Sequence, residues 1–205
     1  MKRILVIERE YGCGGGVIAE RLAAQLGWML WDQALTGEIA RRAEVTAAAV
    51  RRCEERSDTL LHRIAKAFWR GSYEQAMPFD ESFVFDTDRM VALVQEIVGE
   101  AAEAGNCVIV GRGAPYILRR RRDALHVFLY APRREKLRRL LAIGQSEEEA
   151  NNLLETVDRE RADFVKSRFG LKWPTRSLYH MMINTTAGDA AVADTIRFAL
   201  ETFDR

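Results

Sequence analysis

An α/β fold, a parallel sheet covered by helices on both faces, is predicted by three observations. Short continuous apolar runs at 4–7, 106–111 and 125–131 have the pattern of strands buried on both sides. Between them lie stretches whose apolar residues recur three and four apart, the mark of helices that pack by one face. The chain also opens with a strand, a glycine-rich turn and a helix in direct succession, and such alternation is joined by right-handed crossovers.

Each element has a local reason. Ile4, Leu5, Val6 and Ile7 form the first strand, which Glu8, Arg9 and Glu10 interrupt. After the glycines at 12 and 14–16, Val17, Ile18, Leu22 and Leu26 keep helical spacing, and Gly27 is placed to cap that helix. Residues 28–31 read as a second strand ending at Asp32. From 33 to 71 the pattern is helical in three short pieces, and 71–86 is irregular and aromatic, so 33–86 reads as a helical insertion. Thr87 caps a long helix whose Met90, Leu93, Val94, Ile97 and Ala101 hold a 3.6-residue period. A strand at 106–111, a short helix at 115–120, a strand at 125–131 and a helix at 133–143 follow. Ser146, three residues before Glu149, starts a helix that runs to about Arg168. Residues 180–184 give a fifth strand and 190–203 a last amphipathic helix. With no repeats or low-complexity linkers, the 205 residues read as a single domain.

Composition excludes several classes. Hydrophobic residues make up 48% and charged residues 30%, ordinary for a soluble globular protein. A net charge of +1 carries no bias toward nucleic acid or a membrane surface, and neither is expected as a partner. No apolar run approaches the roughly 18 residues of a membrane span, and 4–7 is too short for the core of a signal peptide. Cys13, Cys53 and Cys107 are odd in number and far apart, which argues against a disulfide framework and for a reducing cytoplasm. His62, His126 and His180 show no metal spacing and read as structural.

The chemistry is written in the glycine stretch. A strand, a glycine turn and a helix aim backbone N–H groups and the positive end of a helix dipole at a phosphate. Gly12, Cys13, Gly14, Gly15, Gly16 and Val17 are therefore the candidate nucleotide-binding residues. Against the full pattern G-x-x-x-x-G-K-[ST], Gly15 stands where the lysine belongs and Val17 where a metal-binding hydroxyl belongs. Cys13 at a helix N-terminus reads as a small residue rather than a reactive thiol.

The segments 9–15, 108–113 and 158–161, which read REYGCGG, VIVGRG and DRER, resemble the cytidylate-kinase-like proteins, a divergent branch of the P-loop nucleoside monophosphate kinases. The resemblance runs from the first strand to the last helix. It implies a P-loop NTPase-type three-layer fold with five parallel strands in the order 2-3-1-4-5. The insertion at 33–86 becomes a monophosphate-binding region and 144–172 a lid. Arg112 matches an arginine that binds the acceptor phosphate, Asp158 and Arg161 match the lid's nucleotide contacts, and Asp32 matches an aspartate ending the second strand. Gly113 departs from the aspartate usual after that arginine, and Gly16 from the arginine this branch carries in its loop.

With the loop lysine missing, another cation must meet the transferring phosphate, because phosphoryl transfer rests on positioning and charge. Arg9, Arg112 and Arg161 are the catalytic candidates, with Arg159 and the run 119–122 behind them. Asp32, Arg112, Asp158 and Arg161 are the substrate-binding set. ATP and Mg²⁺ are the implied cofactors, yet no side chain reads as a direct metal ligand, and Asp32 would act through water. Phe79, Phe83 and Phe85 read as insertion core, and the run 119–122 as a solvated helix end. The leading reading is ATP-dependent phosphorylation of a nucleoside monophosphate. A nucleotide- or phosphate-binding protein that has lost the chemistry, and a kinase of another small acceptor, are the alternatives.

Overall fold

The strands β1 (Ile4–Arg9), β2 (Met29–Trp31), β3 (Cys107–Val110), β4 (Ala124–Tyr130) and β5 (Met181–Asn184) lie parallel in one sheet of order β2-β3-β1-β4-β5. A computed structural model gives this architecture and describes residues 3–32, 34, 35, 38, 41, 42 and 87–203. The helices are α1 (Gly15–Leu26), α2 (Thr87–Ala104), α3 (Ala114–Ile117), α4 (Arg133–Ala142), α5 (Glu147–Phe169) and α6 (Asp189–Thr202). Most of the insertion expected at 33–86, with Cys53, His62, Phe79, Phe83 and Phe85, lies outside the described residues.

Register follows the apolar runs. Ile4 pairs with Cys107 on one side and Ala124 on the other, and Ile7 with Val110 and Val127. Alternate residues then feed two cores. On one face Ile4, Val6 and Ile109 meet Ile97, Val98 and Ala101 of α2, Tyr116 of α3 and Phe164 near the end of α5. On the other, Leu5, Ile7, Val108 and Val127 meet Ile18 and Leu22 of α1 and Val192, Ile196 and Leu200 of α6. Each such side chain taken out of water contributes about 1.5–3 kcal/mol. Tyr11, Leu140, Ala150, Leu153, Leu154 and Val157 form a third cluster, which seats the α4–α5 hairpin on the loop after β1.

The caps at Gly27 and Ser146 behave as read. Gly27 ends α1 in the left-handed region, its N–H donating to the Ala23 and Ala24 carbonyls. Ser146 accepts from the Glu149 N–H at 3.2 Å to start α5, with three acidic residues in the first turn to suit the dipole.

Four boundaries are corrected. β1 runs to Arg9 because its ladder with β4 continues through Glu8–Phe128 and Arg9–Leu129, so both charged residues are carried inside. The first helix begins at Gly15, not at Val17. β2 begins at Met29, and Trp28 precedes it. α3 ends at Ile117, and the run 119–122 lies beyond it. There Arg121 forks onto Asp123 with both bonds at 2.9 Å, and Arg119 donates to the Tyr116 carbonyl. His126 and His180 meet across β4 and β5, where the His126 N–H donates to His180 Nδ1 at 2.9 Å. Trp173 packs edge-on against Phe128.

Candidate active site

The carboxyl ends of β1, β2 and β3 bring together residues far apart in sequence. Arg9 is only 5% exposed and its side chain leaves β1 between two glycines. A Cβ on Gly15 would lie 2.8 Å from Arg9 Cγ, and one on Gly111 would fall on the guanidinium. Glu8 Oε1 lies 3.9 Å from Arg9 Nη1. Burial lowers the Arg9 pKa, and repulsion from Arg161 adds to it, while Asp32 and Glu8 oppose the shift.

Arg112 follows β3 in the left-handed region, at φ 57°, between Gly111 at 64° and Gly113 at 72°. That conformation costs a residue with a Cβ roughly 1–2 kcal/mol, so the surroundings must hold it there. Its side chain is buried, and desolvation with the nearby Arg9 and Arg161 brings its pKa down to about 10 against the pull of Asp32. Asp32, at the end of β2, is 6% exposed, and its Oδ1 accepts no hydrogen bond among the described residues.

α5 supplies the fourth side of the site. Arg161 Nη1 donates to the Arg9 carbonyl at 2.7 Å and to Asp158 Oδ1 at 2.9 Å. The same Asp158 oxygen accepts from the Tyr11 N–H at 2.9 Å. Asp158 Oδ2 lies 3.6 Å from Lys136 Nζ, which also donates to Glu10 Oε2 at 3.1 Å. Arg9 and Arg112 lie close enough to feel both Asp32 and Arg161. Asp158 faces the loop and its neighbours on α4 and α5. Arg159, one residue on, is exposed.

The glycine stretch has the geometry of an anion cradle. Gly12 at φ 76° and Gly14 at 83° take conformations that favour glycine, and Gly14 is the N-cap of α1. Gly15, Gly16 and Val17 form the first turn, and their N–H groups donate no hydrogen bond among the described residues. Val17 is half exposed. The Cys13 thiol points inward to the Leu129 carbonyl and its own carbonyl accepts from Thr185 Oγ1, so only its backbone can serve a ligand.

Two basic residues that the sequence reading passed over also reach this loop. A Cβ on Gly12 would lie 3.2 Å from Lys136 Cβ, and one on Gly14 would fall on the Arg139 guanidinium, 2.9 Å from its Cζ. Both sit on α4, three residues apart and hence on one face. Spacing alone could have found that face; which loop it covers is a long-range fact.

Among the described residues no group of three His, Cys, Asp or Glu side chains could hold a metal ion. The Cβ-free cradle at Gly14 and the buried Asp32 oxygen fit a nucleotide phosphate with a water-bound Mg²⁺.

Known proteins share the family pattern and the fold. Residues 4–187 match the model of the cytidylate kinase-like family. No protein of curated function matches the chain. An uncharacterized protein from Eubacterium ventriosum is similar in structure, with 21% identity and a TM-score of 0.70 over 98% of this chain and 99% of that one. Shikimate kinase from Acinetobacter baumannii, in complex with shikimate, gives 18% and 0.52 over 100% and 96%. Shikimate kinase from Bacteroides thetaiotaomicron gives 17% and 0.51 over 97% and 98%. These likenesses show a shared three-layer α/β fold.

Proposed function

Because the chain belongs to the cytidylate kinase-like family, we propose that it transfers the terminal phosphoryl group of ATP to a nucleoside monophosphate. The observation that carries the reading is that Arg9 packs on Gly111, next to Arg112, and that Arg161 bonds to the Arg9 carbonyl beside the glycine cradle, with Asp32 close to Arg9 and Arg112. Three guanidiniums near one another repel, and a bound phosphate would add to the relief that Glu8, Asp32 and Asp158 already give. In this reading the backbone of 12–17 holds the ATP phosphates. Arg112 grips the acceptor phosphate, and Arg9 and Arg161 neutralise charge that develops between them. ATP, when bound, supplies the transferable group, and Asp32 would orient Mg²⁺ through water.

The region 33–86 is the acceptor-binding insertion and 144–172 the lid of one domain. α5 lies over the site, held across the loop by the Asp158–Tyr11 and Arg161–Arg9 bonds, and would serve as the closing element. Closure excludes water, which would otherwise accept the phosphoryl group. Free thiols at Cys13 and Cys107 suit a reducing cytoplasm.

A second reading is favoured by Gly15 and Val17. With neither loop lysine nor hydroxyl, the chain binds nucleotide and transfers weakly or not at all. The buried Asp32 oxygen favours a third, an acceptor that presents a hydroxyl donor. An ADP-release assay across CMP, dCMP, UMP, AMP and small hydroxy acids decides among them. Turnover on a nucleoside monophosphate supports the proposal. Turnover on a hydroxy acid alone replaces the acceptor. ATP binding without turnover on any of them leaves a binding protein.

A further inference from the structure

We infer that Arg139, from α4, is the cation of the phosphate loop and replaces the lysine that the loop lacks. The inference rests on the nucleotide-binding reading above and adds a residue to it.

The geometry is specific. The Arg139 guanidinium occupies the space where a Cβ of Gly14 would be, at the N-cap of α1. A positive side chain gains nothing from a helix N-terminus, which is the positive end of the dipole. Carboxylates hold it there, and Asp189 Oδ1 itself lies 3.4 Å from the same Cβ position. Arg139 does not need that position for its local pairing. Glu135, one turn earlier on the same helix, already accepts from its Nε at 3.0 Å. What draws the guanidinium outward is Asp189, which takes Nη1 at 3.2 Å and Nη2 at 2.8 Å as a two-pronged pair. Asp189 opens α6, and the turn before it is tied to the loop through the Thr185–Cys13 bond. Loop, Arg139 and Asp189 are therefore one assembly. Lys136 is the other basic residue on that face, but its ammonium is directed at Glu10 and Asp158. Arg139 is the basic side chain packed on Gly14, the N-cap that precedes Gly15, Gly16 and Val17.

Asp189 and Glu135 hold Arg139 against the loop, and its remaining N–H groups would serve the β- and γ-phosphate oxygens of a triphosphate. The two carboxylates are then positioning residues and also competitors for the same cation. That competition gives the idea a distinctive signature.

Calorimetry on the full chain, with ATP and inorganic tripolyphosphate as probes, tests it. Arg139→Met is expected to weaken both probes at least tenfold and Arg139→Lys less. CMP or AMP binding at Arg112 should change little. Adding Gly16→Lys to Arg139→Met is expected to restore affinity, because nothing lies within 4 Å of a Cβ at that position. Asp189→Asn removes a competitor and is expected to tighten tripolyphosphate binding. If Arg139→Met fails to fold, Arg139→Gln decides, and affinity for both probes equal to wild type overturns the inference. Wild-type binding of ATP that Arg139→Met leaves intact overturns the inference and spares the nucleotide reading. A wild-type chain that binds neither probe overturns both.

Discussion

Arg112 is the residue at which conformation and chemistry conflict most openly. A left-handed, buried arginine between two left-handed glycines is unfavourable as structure, and strain of this kind is kept where a site requires it. Arg112→Gly relieves the backbone and removes a buried charge. We expect a melting temperature at or above the wild-type value, together with a loss of about 1.5–3 kcal/mol in monophosphate binding. A large fall in melting temperature would mark Arg112 as structural. The loop makes a matching point. Lysine at Gly15 meets Arg9 Cγ and Cβ, both within 2.9 Å of the new Cβ, whereas lysine at Gly16 meets open space. Gly15→Lys is expected to destabilise by about 1–3 kcal/mol, as overpacking does. Gly16→Lys should gain up to about 1 kcal/mol from helix propensity and raise turnover. Thermal melts beside the ADP-release assay check both.

At the scale of elements, α4 is the helix whose existence was plain and whose purpose was hidden. Its many charges suggest a solvated face, and five basic residues between 133 and 139 give no sign of which ones turn inward. Leu140 settles the rotation by packing with Tyr11 and the apolar face of α5, and Lys136 and Arg139 are carried onto the loop with it. The contacts with the loop join residues more than a hundred positions apart, so no local pattern announces them. Glu8 and Arg9 were misread for the same reason, because only the β4 ladder explains charged residues in a buried strand. The pH response of α4 is open to test. Hydrogen bonds from Arg138 and then Arg139 hold the Glu135 carboxyl down at about 2. A depressed carboxylate stabilises the fold above its ordinary pKa, and that contribution fades as pH falls from about 4.5 toward 2. Melts of wild type and Glu135→Gln should differ at pH 6 and converge near pH 2.

Over the whole molecule, the fold was legible because its signals were local and consistent. Each apolar run became a strand, and each 3.6-residue period outside the 33–86 region became a helix. Strand order was read from resemblance, since alternation fixes parallel pairing but not which strand lies in the middle. The two cores on opposite faces of the sheet should respond independently. Ile97→Ala beneath α2 and Ile196→Ala beneath α6 each remove a side chain at most 1% exposed. Each is expected to lower stability by about 2–5 kcal/mol. The double variant should equal the sum within about 0.5 kcal/mol, measured by urea denaturation. A clear excess over that sum would mean that the sheet transmits repacking between its faces.

The path of Arg9 between Gly15 and Gly111 has a consequence for how the sequence can vary. The three positions lie on different elements yet share one volume, so a substitution at one changes what the others tolerate. A library that randomises 9, 15 and 111 together, selected only for a folded chain, should return the arginine solely in clones that keep both glycines. Side chains at 15 should appear only where position 9 has become short. In an evolving lineage the order of events is fixed as well: the arginine must be lost before Gly15 is free to drift, and once Gly15 has drifted the arginine has no way back.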